Sequence, residues 1–252
     1  MPLSPALLEH AAQQSGFDLD RDAPVPWRSF SSSRAPLRVW LRGEPDDALL
    51  AALSMGNVDA ALDREGHGLP WAGELPAGAV AVRRVADRPA LRHLLRRAWQ
   101  LSATLPDELL HAFEKQTASM PRSTEAQRLV VQRVGQDLFR GGLLDYWEGR
   151  CAVTGLAVTG LLRASHIKPW AACTADAQRL DVFNGLLLAP QWDAAFDGGW
   201  VTVAEDGAVV LSTALDAAAR RALGLDTGAT VRRLEARHHP YLAWHRARVW
   251  RG

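Results

Sequence analysis

The sequence predicts an α+β protein in two parts: a small N-terminal α+β domain over residues 1–120 and a second domain over 121–252. Three observations carry that prediction. The stretch from Cys151 to Gly199 reads as strand, loop, strand, helix. In it LLRASHI is an apolar run with Pro169 beyond it as a stop, and FNGLLLAP is a second short run. DAAFDGG then opens on an acid suited to a helix N-terminus and ends in a glycine pair suited to its C-terminus. The segment ASMPRST, ending at Thr124, interrupts two helical patterns and marks a boundary. Finally, the first 120 residues mix helical and strand-like runs, without an internal repeat or a nucleotide-binding loop.

Taken in order, SPALLEHAAQQS reads as a short amphipathic helix with Ser4 as its cap and Pro5 in its first turn. Leu37–Leu41 is strand-like, DDALLAALSMGNVDAALD suggests one or two small helices, and residues 64–80 are Gly/Pro-rich loop. Ala79–Val85 follows as a strand and Arg88–Leu101 as an amphipathic helix; Leu105–Thr117 is another helix. Trp27, Trp40 and Trp71 lie in this half. They either pack in or on the domain, as most tryptophans do, or stack a base.

In the second half, Thr124 opens a long helix on which Leu129, Val130, Val134, Leu138 and Phe139 keep helical spacing. Arg133, Gln136 and Arg140 recur along it, either as an ordinary exposed face or facing a phosphate backbone. WVTVAEDGAVVLS reads as a hairpin around Glu205-Asp206-Gly207, and LDAAARRALGL as a helix stopped by Gly224. VRRLEA has strand character and HPYLAWHRARVW ends the chain as a helix. His238, His239 and His245 lack a spaced partner outside their cluster, which favours structural or surface roles over a metal site.

Composition narrows the class. With 48% hydrophobic and 23% charged residues the chain can build a core, and no run approaches the ~18 apolar residues of a membrane span. The start MPLSPALLEH lacks a signal-peptide layout, so a cytoplasmic protein with reduced thiols and no membrane partner is expected. Net charge is +1, which gives no global nucleic-acid footprint; residues 1–120 carry −2 and residues 121–252 carry +3.

Within the central stretch stand His166, Asn184 and Asp193. Hydrolysis of a phosphodiester needs a base for water and a cation for the charge on phosphate and leaving oxygen. A neutral His can be that base near pH 7, and a carboxylate can hold Mg²⁺, which keeps several of its waters. Taken singly, each residue also has a plain structural reading: a hydrogen-bonded His, a turn at Asn184-Gly185 and an N-cap at Asp193.

In their order and spacing, CAVTG, SHIKPW, FNGLLL and AAFD resemble the HNH endonucleases, the ββα-metal nucleases, over about Thr124 to Trp250. The resemblance implies a C-terminal HNH ββα-metal domain and a metal-dependent nuclease with DNA as partner and Mg²⁺ or Mn²⁺ as cofactor. It implies His166 as general base, Asn184 as the residue fixing the loop that orients it, and Asp193 where a metal-binding His usually stands. Ser165 stands where many members have a second ligand and would be a weak one. Arg163 and Lys168 join Arg133, Gln136 and Arg140 as candidate nucleic-acid contacts. Many members also carry two CxxC pairs for a structural zinc. Cys151 and Cys173 are the only cysteines here, too few for a four-thiolate site, so no structural zinc is expected. A role in restriction or defence would suit the architecture, with the N-terminal domain selecting substrate or partner. The rival readings are a non-catalytic DNA-binding module that kept the fold, and an RNA-directed nuclease; a dimer remains open.

Overall fold

The structure, a computed structural model, describes residues 5–104, 108–121, 123–225 and 228–252. The chain divides into two compact units, 1–105 and 106–252.

The first unit opens with α1 (Pro5–Gln14), whose expected cap, Ser4, lies outside the described residues. Strands β1 (Leu19–Arg21), β2 (Arg28–Ser31), β3 (Arg38–Gly43) and β4 (Leu49–Leu53) follow, then α2 (Gly56–Arg64), β5 (Leu69–Pro70), β6 (Ala81–Val85) and α3 (Arg88–Thr104). The strands form one antiparallel sheet in the order β1-β2-β3-β4-β6-β5. LLAAL, expected as helix, is the strand β4, and all five residues are buried. An unbroken apolar run suits a strand whose two faces are both covered, and length rather than periodicity separates it from a helix. The helices pack on one another and on the sheet. Two buried arginines tie α2 into place: Arg83 on β6 meets Asp59 at 2.6 Å and Asp63 at 3.0 Å, and Arg97 on α3 meets Glu65 at 2.7 Å.

Register partners Trp40, Ala52 and Val82 share one sheet face and build a cluster with Trp27 and Leu50, against which Trp71 packs. The guanidinium of Arg42 lies 4.8 Å from the Trp27 ring and 5.3 Å from the Trp71 ring. These tryptophans therefore pack, as the plainer of their two readings has it.

The second unit begins with α4 (Glu108–Thr117), against α5 (Glu125–Tyr146). The expected start of α4 at Leu105 lies outside the described residues. The boundary read at 120/121 falls instead at 105/106, because α4 buries Leu109 and Phe113 and contacts α5 extensively. ASMPRST is thus a connection within this unit. Thr124 caps α5 with a full capping box, its hydroxyl accepting from the Gln127 N–H while the Gln127 side chain returns to the Thr124 N–H.

The buried face of α5 is Val131, Gly135, Phe139, Gly142, Leu143 and Tyr146, whereas Leu129 and Val130 are exposed. Its two buried glycines let neighbours close in: a Cβ at Gly142 would sit 2.5 Å from Leu109, and one at Gly135 2.5 Å from Trp170. A helix face made partly of glycine is invisible to an apolar count.

β7 (Arg163–His166), the short helix α6 (Asp176–Arg179), β8 (Gly185–Leu188) and α7 (Pro190–Asp197) come next. β7 and β8 pair antiparallel, with His166 opposite Gly185. After them β9 (Val201–Val203) and β10 (Val209–Leu211) form the expected hairpin, and α8 (Ala217–Leu223) is stopped by Gly224 at φ +62°. The VRRLEA segment forms no strand; only Thr230 beside it makes a bridge, to Ala208. Its polar side chains serve pairing of another kind, Arg233 with Glu148 at 2.7 Å and Glu235 with the Tyr146 hydroxyl at 2.8 Å.

The last helix is α9 (His239–Arg248). His238, just before it, is fully buried among Tyr146, Trp147 and Phe183, and burial pushes its pKa down to about 4.

Gly185 is a strand residue at φ −147°, so its value is space rather than a turn. A Cβ there would lie 2.6 Å from Phe139 and 2.8 Å from Leu143. Gly185→Ala should therefore destabilise the protein by about 1–3 kcal/mol through overpacking, read as a lower urea midpoint. An unchanged midpoint would show that α5 can back away.

Candidate active site

The antiparallel pair β7–β8 and helix α7 carry the chemistry-bearing residues. The loop between the strands, residues 167–184, contains only α6 and short 3-10 turns, and Asn184 bonds across it. Asn184 is fully buried. Its amide donates to the carbonyls of Gln178 at 2.9 Å and Lys168 at 3.1 Å, and its oxygen accepts from the Lys168 N–H at 2.8 Å. Asn184 closes a 3-10 turn (Val182–Asn184) ahead of β8, and its side chain staples the loop it ends.

That loop reaches His166. Its Nε2 lies 2.8 Å from the Arg179 carbonyl. A carbonyl only accepts, so Nε2 carries the proton and Nδ1 keeps a lone pair. The ring stacks on Phe139 of α5 at 3.7 Å and meets Trp170 edge-on at 5.7 Å. Burial lowers the His166 pKa, and the bond to Arg179 opposes that only in part. The imidazole is therefore neutral at pH 7.

α7 starts at Pro190, three residues before Asp193. Asp193 is therefore in the first turn rather than the N-cap, since Pro fits the opening position and Ala189 serves as cap. Four residues on, one helical turn, stands Asp197, which the sequence reading passed over. The spacing DAAFD was the available signal: two acids at i and i+4 share a face.

Both carboxylates lie at Ser165. The buried Ser165 hydroxyl donates to Asp197 Oδ1 at 3.1 Å and is also in reach of Asp193. One hydroxyl proton cannot serve two acceptors at once. Burial raises both acids' pKa values; the Asp193 charge raises that of Asp197 further, while exposed Arg163 and Ser165 offset the rise at Asp193. Ser165, read as a weak ligand, is thus a donor between two acids. A cavity of about 380 Å³ opens beside Asp197, lined also by Ser165, His166, Trp170, His245 of α9 and Val249 just past that helix. Among the described residues, no group of three or more His, Cys, Asp or Glu side chains is placed to hold a metal ion.

The remaining candidates divide. Arg133 and Gln136 are exposed on α5. Arg140 reaches the carbonyls of Leu162 at 2.8 Å and Thr159 at 3.1 Å, so its guanidinium braces the turn before β7. Lys168 Nζ meets Gln178 Oε1 at 3.2 Å within the stapled loop. Cys151 Sγ accepts from the N–H groups of Thr154 and Ala189, both at 3.3 Å, which ties the CAVTG turn to the start of α7. Both cysteines are buried free thiols.

No curated protein matches this chain. Residues 151–204, which supply Cys151, His166, Asn184, Asp193 and Asp197, match the family model described as HNH endonuclease. On that match the segment building this site is similar to the HNH endonucleases, which suggests a nuclease.

Proposed function

We propose that this chain is a metal-dependent endonuclease that hydrolyses phosphodiester bonds of DNA. The observation that carries the reading is His166, held through Nε2–H so that Nδ1 is a free base, in one cavity wall with Ser165 and Asp197. His166 Nδ1 takes a proton from water as the water attacks phosphorus. The Arg179 carbonyl then steadies the imidazolium through the bond it already makes, and Asn184 keeps that carbonyl in place by holding the loop.

Asp193 and Asp197 fit a hard divalent cation. They are two crowded carboxylates whose charges burial penalises, and their oxygens suit Mg²⁺ or Mn²⁺ completed by water and substrate phosphate. When bound, the ion supplies Lewis-acid neutralisation of charge on the phosphate and the leaving oxygen. Arg163, exposed at the head of β7 beside Asp193, meets a phosphate, and Arg133 and Gln136 offer further backbone contacts.

Incubating the purified protein with plasmid, single-stranded DNA and RNA tests this, with Mg²⁺, Mn²⁺ or EDTA. Nicked plasmid with either ion and none with EDTA is expected. DNA bound but intact under every condition would turn the reading to a non-catalytic binding module. Cleavage confined to RNA would turn it to an RNA-directed nuclease.

A further inference from the structure

The family match ends at residue 204, yet His245 of α9 and Val249 just past it line the cavity beside His166. His245 is 1% exposed and its ring lies flat on Phe196, at 4.0 Å and 8°. Its Nε2 is 3.0 Å from the Phe196 carbonyl, so Nε2 must carry the proton. Nδ1 is then the acceptor, and the Thr202 hydroxyl, 3.0 Å away, donates to it. Both ring nitrogens are committed, and with them the ring's orientation.

Phe196 is the residue before Asp197. Its carbonyl belongs to the last turn of α7, where carbonyls have run out of helical donors; it takes the Gly199 N–H at 3.0 Å and the imidazole. The surrounding bonds converge on the same place. Arg251 N–H donates to the Gly199 carbonyl at 3.0 Å, and Arg246 Nη1 to the Val203 carbonyl at 2.8 Å. The end of α7 is thus gripped between β9 and α9, and Asp197 leaves from the gripped turn toward Ser165.

We propose that His245 is a positioning residue for Asp197, which makes the C-terminal helix part of the working site. This rests on the nuclease reading above. An apolar ring at 245 would fill the same volume but would not hold the Phe196 carbonyl, leaving the last turn free to rotate Asp197 away from Asp193.

The test uses the full chain with His245→Phe, His245→Gln and Thr202→Val. Mn²⁺ affinity is measured by calorimetry, kcat and KM by plasmid nicking, and folding by circular dichroism. His245→Phe, which keeps the ring on Phe196, should fold and bind Mn²⁺ roughly tenfold more weakly, with kcat roughly tenfold lower and KM for DNA unchanged. His245→Gln, with an N–H able to reach the same carbonyl, should recover part of both. Thr202→Val should shift both in the same direction as His245→Phe, by less.

A folded His245→Phe with wild-type Mn²⁺ affinity and kcat overturns the proposal. If that variant does not fold, wild-type values in Thr202→Val overturn it instead. If the wild type itself neither binds Mn²⁺ nor cleaves, the nuclease reading has failed and this inference with it. Unaltered variants of an active wild type defeat the inference alone.

Discussion

His166→Ala should cleave DNA roughly a hundredfold or more slowly than the wild type, with fold and DNA affinity nearly kept. The substitution removes the one base whose lone pair is freed by a fixed tautomer. It leaves the carboxylates, the stapled loop and Arg163 in place. Phe139 loses a stacking partner, a modest loss at a half-buried position. The wild-type pH–rate profile should show the same group. Only neutral His166 can take a proton, so the rate should rise with pH through its pKa. Because burial lowers that pKa, the acid limb should lie below the ordinary value of about 6.5. An acid limb well above 6.5, or a wild-type rate in His166→Ala, would remove His166 from the mechanism.

Asp197→Asn should separate stability from activity. The folded-state pKa of Asp197 is raised above 3.8 by burial and by Asp193. The sign follows: the charged form costs stability at neutral pH, and that cost is relieved as pH falls through the raised pKa. Asn at 197 removes the cost, so the variant should melt higher than the wild type without added ion. It should also lose most activity, because one of two carboxylates for the cation is gone. Added Mn²⁺ should raise the wild-type melting temperature, by about 2.7 kcal/mol of stabilisation at a hundred times the dissociation constant, and should do far less for the variant. A variant that melts lower and answers Mn²⁺ like the wild type would make Asp197 only the acceptor for Ser165.

What the sequence disclosed, it disclosed where the determinants are local. The strand–loop–strand–helix order, the hairpin at Glu205-Asp206-Gly207 and the stop at Gly224 each need a few neighbouring residues, and each stands in the structure. Asn184 was read partly as a turn residue, since Asn-Gly is a turn pair. Its buried bonds to residues 168 and 178 exist only after the loop has closed.

LLAAL carries no period that separates strand from helix, and the neighbours of β4 in the sheet come from elsewhere in the chain. Neither reading of Arg140, exposed face or phosphate contact, includes its bonds to the carbonyls of Leu162 and Thr159, because side-chain spacing does not show which carbonyls fold beneath it. His245 lay too far along the sequence from Asp197 for any motif to join them.

Asn184 also bears on how long the protein lasts. Asn-Gly is the pair most prone to deamidation, because the glycine nitrogen readily attacks the side-chain amide to close a succinimide. Here the Gly185 N–H is engaged by the Val182 carbonyl, and the Asn184 amide is fastened on both its atoms. The folded chain should therefore resist an ageing reaction to which its unfolded form is open. Conversion to Asp would place an oxygen against the carbonyls of Lys168 and Gln178, acceptor facing acceptor, and a molecule so altered would not regain its loop. Deamidation of the peptide carrying residue 184 should accumulate near the unfolding midpoint and stay at background well below it, as peptide mass spectrometry would show. Equal rates at both temperatures would mean that the fold offers this bond no shelter. With that shelter in place, each unfolding is a small irreversible hazard to this one side chain, making the working life of the protein a matter of how seldom its loop opens.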